Sequence, residues 1–199
     1  SSVPKKPILL PLTDAQVLPV IGTKELVASL PLLLGLGRGD VVVVPEIAYP
    51  TYEVGARLVG AQPVACDDPA ELERLAPRLV WINSPANPHG SVLSLEQTRA
   101  WVEAARRAGA VLASDECYGE FVWEGESVSV LDPRVCGDDP AGLLALFSLS
   151  KRSNLAGYRA GFLAGDADLV GELLALRKHT GMMVPGPVQD AMVPLLGDD

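Results

Sequence analysis

Histidine, paired cysteine, positive charge and long apolar runs are all scarce in this chain. Its two histidines, His89 and His179, lie far apart, which argues against a His-based metal site. Its three cysteines, Cys66, Cys117 and Cys136, are odd in number and carry no CxxC spacing. That pattern suggests a reducing cytoplasm rather than a disulfide framework. There are 16 Lys+Arg against 25 Asp+Glu, a formal net charge of −9. A chain this acidic lacks the basic face that nucleic acid requires, and it suits an anionic membrane surface poorly. No apolar run reaches the roughly 18 residues of a membrane helix. The longest, Leu26 to Leu36, is broken by Ser29, Pro31 and Gly35. Two lysines precede a short apolar stretch, Ile8 to Leu12, but with Pro11 and no small-residue cleavage pattern it is not expected to be a signal peptide.

What is present is aliphatic. The 199 residues are 48% hydrophobic, with a mean hydropathy of +0.24 despite 21% charged residues. The length allows one domain or two small ones. The hydropathy implies either an unusually aliphatic interior or apolar surface meant for a partner. Short aliphatic runs alternate with segments of helical period. Strands are expected at Val17 to Ile21, Asp40 to Val44, Gln62 to Ala65, Arg78 to Asn83, Ala110 to Ser114, Leu143 to Phe147 and Ala160 to Ala164. Helices are expected from Thr23 to about Leu34, Pro50 to Val59, Pro69 to Leu75, Leu95 to Ala108 and Asp168 to Lys178. Ser94 and Gln97 form a capping box for the fourth helix and Gly109 closes it. Asp132 to Gly142, rich in Asp, Pro and Gly, reads as loop. This alternation predicts an α/β protein, a mostly parallel sheet with helices on both faces.

Such sheets bind ligands at the carboxyl ends of their strands. Five strand ends carry polar or aromatic groups: Gly22-Thr23-Lys24, Tyr49, Asn83 to Gly90, Asp115 to Tyr118, and Ser148 to Lys151. Lys151, after an apolar strand and between serine-rich neighbours, is placed for partial desolvation. A lysine so placed becomes a nucleophile able to form a Schiff base. A lone lysine would be read as solvated loop. Here Arg159 follows eight residues on and can clamp a phosphate bidentately, with Ser148 and Ser150 adding hydroxyls. The helix start at Thr23, after Gly22, adds backbone N–H groups for the same anion. A phosphate and an aldehyde-reactive lysine together point to pyridoxal phosphate. Asp115 then fits the acid needed beside the ring nitrogen. Tyr118 and Asn87 fit donors to the ring oxygen, and Tyr49 fits a stacking partner. Taken singly, these four would be a cap aspartate, two packed tyrosines and an Asn-Pro turn.

The set resembles the fold type I, class I/II aminotransferases. The matching strings are Gly22-Thr23-Lys24-Glu25, Tyr49-Pro50-Thr51-Tyr52, Asn83 to Gly90, Asp115-Glu116-Cys117-Tyr118, and Ser148-x-Ser150-Lys151 with Ala156-Gly157-x-Arg159-x-Gly161. Order and spacing agree across about Leu12 to Leu196. Val17 to Leu36 and Lys178 to Val193 further resemble actinobacterial succinyldiaminopimelate aminotransferases. The resemblance implies the three-layer α/β/α large domain of the aspartate-aminotransferase-like fold, with a cytoplasmic homodimer. It implies Lys151 as the Schiff-base lysine and proton shuttle, Asp115 on the pyridine nitrogen, and Asn87 and Tyr118 on the ring oxygen. Tyr49 would stack on the ring. Gly22, Thr23, Lys24 (through its backbone N–H), Ser148, Ser150 and Arg159 would surround the phosphate. The reaction implied is ping-pong transfer from an amino acid, expected to be glutamate, to a keto acid, with N-succinyl-2-amino-6-ketopimelate as one acceptor.

The chain departs from the family in three ways. Family members are longer, and their N-terminal closing segment and C-terminal small domain have no counterpart in these 199 residues. Residues 1–11 match nothing in the family, so residues 12–199 are expected to be a truncated large domain. His89 stands where the family usually has Thr. Arg38, Arg57 and Arg177 are expected to be solvated, so the arginine that grips the substrate carboxylate is not found. Two alternatives therefore stand beside the aminotransferase: a non-catalytic cofactor-binding fragment or partner-completed subunit, and a lyase of the same fold. On this reading, helices such as Leu26 to Leu36 keep apolar faces for a second subunit or absent segments.

Overall fold

Four consecutive valines form β2 (Val41–Val44), three of them buried, as a strand covered on both faces demands. In this computed structural model, which describes residues 8–122, 125–152 and 156–197, β2 lies within a seven-stranded sheet. The other strands are β1 (Val17–Ile21), β3 (Gln62–Ala65), β4 (Leu79–Asn83), β5 (Val111–Asp115), β6 (Leu143–Ser148) and β7 (Ala160–Gly165). Their order is β1-β7-β6-β5-β4-β2-β3. Strands β3, β2, β4, β5 and β6 are parallel, while β7 runs antiparallel to both β6 and β1. The double reversal at β7 makes β1 parallel to β6. The carboxyl ends of six strands thus share one edge, and the expected mostly parallel sheet is present.

Alternation along the strands divides the interior into two layers. Val43, Val80, Leu112 and Ala145 face Trp101 and Val102 of α4 (Leu95–Ala108). Val42, Val44, Trp81 and Leu146 face the opposite way, toward α1 (Thr23–Leu33), α2 (Thr51–Leu58) and α7 (Ala167–His179). Short helices α3 (Leu72–Leu75), α5 (Pro133–Cys136) and α6 (Leu149–Arg152) complete the connections, and α8 (Gly186–Gly197) follows α7. The expected capping box is formed: Ser94 Oγ accepts from the Gln97 N–H at 3.2 Å, and Gln97 Oε1 accepts from the Ser94 N–H at 2.8 Å. Gly109 closes α4 at a φ of 65°. No helix among the described residues is long and apolar enough to cross a membrane.

Four expectations change. The stretch Asp132 to Gly142 contains α5, because Asp132 caps it by accepting the Arg134 N–H at 2.8 Å and Pro133 supplies a helix-ready φ. Helix α8 was not expected, since Pro187 and Pro194 break up its apolar pattern; it forms by setting Met192 against Leu149 and Ala160. Leu26, Leu30, Pro31 and Leu36 are buried by the chain's own sheet and α2, so this helix keeps no broad unmet face; Leu32 alone among its large apolar residues is strongly exposed, at 62%. Arg177 is fully buried rather than solvated, because α7 carries it inward onto Glu25. By contrast Arg38 is exposed, and Arg57 is an exposed partner of Glu53.

Glu116 makes the interior sensitive to pH. It is buried, its Oε1 accepts the Val130 N–H at 3.0 Å, and burial pushes its carboxyl up from 4.5 to about 7. Between those two values the folded chain keeps a proton that the unfolded chain has released. Stability therefore falls as pH rises through this window, by about 3 kcal/mol in all. Glu116→Gln keeps an acceptor for Val130 and is expected to flatten that slope. Melting temperatures of both chains from pH 4.5 to 8 check this, and parallel slopes would place the dependence on another group.

Candidate functional site

The site starts at Gly22, which turns the chain from β1 into α1 at a φ of 72°. A Cβ at Gly22 would overlap the guanidinium of Arg159. A Cβ at Gly161 would come 2.8 Å from the Phe147 carbonyl oxygen and 3.3 Å from Thr23 Cγ2. These two glycines therefore let the first turn of α1, β7 and Arg159 converge. No side chain among the described residues caps α1, so its leading N–H groups are left for another acceptor. Arg159 sits at a φ of 53°, and its Nη1 donates to the Ala156 carbonyl at 2.8 Å.

Asp115 ends β5 between two donors. Its Oδ2 accepts from the Tyr52 hydroxyl at 2.6 Å, and its Oδ1 from the Cys117 N–H at 3.2 Å. Burial, then the neighbouring Asp115, push the Tyr52 phenol far above its ordinary value, so it stays a donor. Burial likewise pushes the Cys117 thiol up, and it donates to Thr23 Oγ1 at 3.2 Å instead of acting as a thiolate. Asn83, at the end of β4, donates to the Asp115 carbonyl at 2.8 Å and to the Pro85 carbonyl at 3.2 Å. Its Oδ1 accepts the Asn87 N–H at 2.7 Å and so fixes that turn.

Lys151 stands on α6 with its Nζ 5.7 Å from the Tyr118 ring centroid. It is exposed, where the sequence suggested partial desolvation, because α6 begins right at the sheet edge. Lys24 Nζ lies 5.2 Å from the Tyr49 ring centroid. The hydrogen bond from Lys24 holds the Tyr49 phenol below its ordinary range.

These groups line one cavity of about 510 Å³ at the carboxyl edge of the sheet. Of the site residues expected from sequence, Thr23, Lys24, Tyr49, Asn87, Asp115, Tyr118, Ser148, Ser150, Lys151 and Arg159 all line it. Gly22 does not line it; it sits behind Arg159 and makes room for it. The lining also includes Tyr52 and Cys117, which sequence reasoning quoted within motifs but gave no role. Tyr52 had a local signal: it falls one helical turn after Tyr49, at the start of α2. His89 lies elsewhere, with its Nε2 2.8 Å from Ser91 Oγ, on a neighbouring cavity of about 240 Å³. A carboxylate, a lysine and an uncapped helix terminus beside an arginine suit a ligand carrying an anion at one end and a basic ring nitrogen at the other.

The family described as aminotransferase class I and II matches residues 6–199. A probable aminotransferase of Mycobacterium tuberculosis is 60% identical over 188 residues, covering 94% of this chain and 45% of its own length. A 4-dedimethylamino-4-oxo-anhydrotetracycline transaminase of Streptomyces rimosus is 56% identical, covering 92% of this chain and 51% of its own length. Among solved structures, an aminotransferase from Helicobacter pylori matches with a TM-score of 0.86 and 28% identity, over 96% of this chain and 54% of that one. A probable N-succinyldiaminopimelate aminotransferase from Thermus thermophilus matches with a TM-score of 0.83 and 29% identity, over 92% and 52%. The chain thus spans about half the length of the relatives it matches.

Proposed function

The chain belongs to the aminotransferase class I and II family, which depends on pyridoxal phosphate, and we propose that its cavity is the seat of that cofactor. The observation that carries this reading is the convergence of Lys151, Asp115 and Arg159 on one cavity from three separate strand ends. The Arg159 guanidinium, seated where Gly22 has no Cβ, and the uncapped start of α1 fit a phosphate group. Pyridoxal phosphate supplies an aldehyde for an amine and a ring that withdraws electrons from the carbon beside it.

Each residue then has a task. The α1 N–H groups of Thr23 and Lys24, the hydroxyls of Ser148 and Ser150, and the Arg159 guanidinium hold the phosphate. Asp115, oriented by Tyr52 and the Cys117 N–H, would hold a proton on the ring nitrogen. Asn87 and Tyr118 donate to the ring oxygen, and Tyr49 covers a ring face. Lys151 Nζ would hold the cofactor at its aldehyde end and, when free, would move the substrate's α-proton.

We read residues 12–199 as the cofactor-binding large domain of a longer aminotransferase working as a cytoplasmic homodimer. Of the head 1–11, residues 1–7 lie outside the described residues. Glutamate is the proposed amino donor. For the acceptor, N-succinyl-2-amino-6-ketopimelate draws support from the name of the Thermus thermophilus structure and from LL-diaminopimelate aminotransferases about a third identical. The tetracycline-pathway name of the Streptomyces rimosus relative supports placing the choice of acceptor outside this half of the protein.

The test is a yellow species on mixing the chain with pyridoxal phosphate, reduction with borohydride, and mapping of the labelled peptide. The label is expected on Lys151, and label on Lys24 instead would overturn the site. Glutamate should then convert the cofactor to its amine form. Labelling of Lys151 without that conversion would favour a non-catalytic cofactor-binding domain, and release of a different product would favour a lyase.

A further inference from the structure

Arg177 is fully buried on α7 and does not line the cavity. Its Nη1 donates to Glu25 Oε1 at 2.9 Å and its Nη2 to Glu25 Oε2 at 2.8 Å, a two-pronged pair across 152 residues of sequence. Nη2 also donates to the Met182 carbonyl at 3.0 Å, and Ser29 Oγ adds a third donor to Glu25 at 2.9 Å. Glu25 is the third residue of α1, directly after Thr23 and Lys24, which line the cavity. Helix α7 is itself fixed against β1 and β7.

A buried ion pair is a poor way to add stability, since apolar side chains of similar volume serve a core as well or better. What a planar two-pronged pair adds is direction. Here it grips a helix turn that has no side-chain cap and whose first two residues, Thr23 and Lys24, line the cavity. We propose that Arg177 and Glu25 are positioning residues that hold the first turn of α1 in register for the cofactor's phosphate. The inference rests on the reading of the cavity as a pyridoxal phosphate site, and extends it to two residues that do not line the cavity.

The pair acts on the phosphate end alone, so its loss separates ligands with and without phosphate. Arg177→Met and Glu25→Gln in the full chain are expected to weaken binding of pyridoxal 5′-phosphate about tenfold or more, the scale on which outer partners of a bound group act. Binding of pyridoxal, which lacks the phosphate, should stay within about twofold of the parent. Titration by absorbance or calorimetry reads both. Charge alone predicts the opposite sign for Glu25→Gln, because removing a negative charge from a helix's first turn favours a bound anion.

Equal loss for both ligands, unchanged binding of both, or tighter pyridoxal phosphate binding by Glu25→Gln would each overturn the proposal. If Arg177→Met does not fold, Glu25→Gln decides alone. A parent chain that binds pyridoxal phosphate no better than pyridoxal would overturn the cavity reading itself, and a parent with that preference but indifferent variants overturns only the role of the pair.

Discussion

Lys151→Ala is expected to abolish the borohydride-trapped adduct while leaving reversible binding of pyridoxal phosphate in place. The covalent bond needs the Nζ atom, and the other lysine lining the cavity, Lys24, is held over the Tyr49 ring. The phosphate contacts proposed for Thr23, Ser148 and Arg159 do not involve Lys151 and survive its loss. Turnover should fall by about 10²–10⁴-fold, the usual contribution of a positioned proton-transfer group. Mass spectrometry of the reduced protein checks the first outcome and single-turnover kinetics with glutamate the second. A covalent adduct of undiminished yield in Lys151→Ala would end the assignment.

Asp115→Asn should be nearly as damaging, with far less effect on stability. The amide keeps an oxygen for the buried Tyr52 hydroxyl, whereas Ala would strand that donor and confuse stability with chemistry. It cannot hold a proton on a ring nitrogen by charge. The half-reaction with glutamate is expected to slow by about 10²–10³-fold, in line with loss of one preorganised electrostatic partner. The melting temperature should move by only a few degrees, about what 1 kcal/mol shifts in a domain of this size. Stopped-flow absorbance and thermal unfolding on one preparation check both. Loss of stability in step with rate would make Asp115 a structural residue.

The strands were legible because their signals are local. The valines of β2, the apolar run of β6 and the capping box of α4 each act over a few neighbouring residues, and all three stand where the sequence put them. The cavity lining was legible for a related reason. In a sheet whose strands are mostly parallel, whatever follows each strand arrives at the same edge, so five separate motifs could be placed together without coordinates. Helix α8 was hidden by Pro187 and Pro194, since its formation depends on where Met192 docks and not on its own pattern.

The sequence by itself determined which chemistry gathers at the carboxyl edge: an amine, an acid, an arginine and an open helix start. The tertiary structure decided which groups hold them in place. Tyr52 reaches Asp115 across 63 residues and Arg177 reaches Glu25 across 152. Propensity and periodicity carry no information at such separations. Only the crossing of α2 over the sheet and the docking of α7 beside α1 bring those donors to those carboxylates, which is why Arg177 read as a solvated helix-end residue and proved to be fully buried.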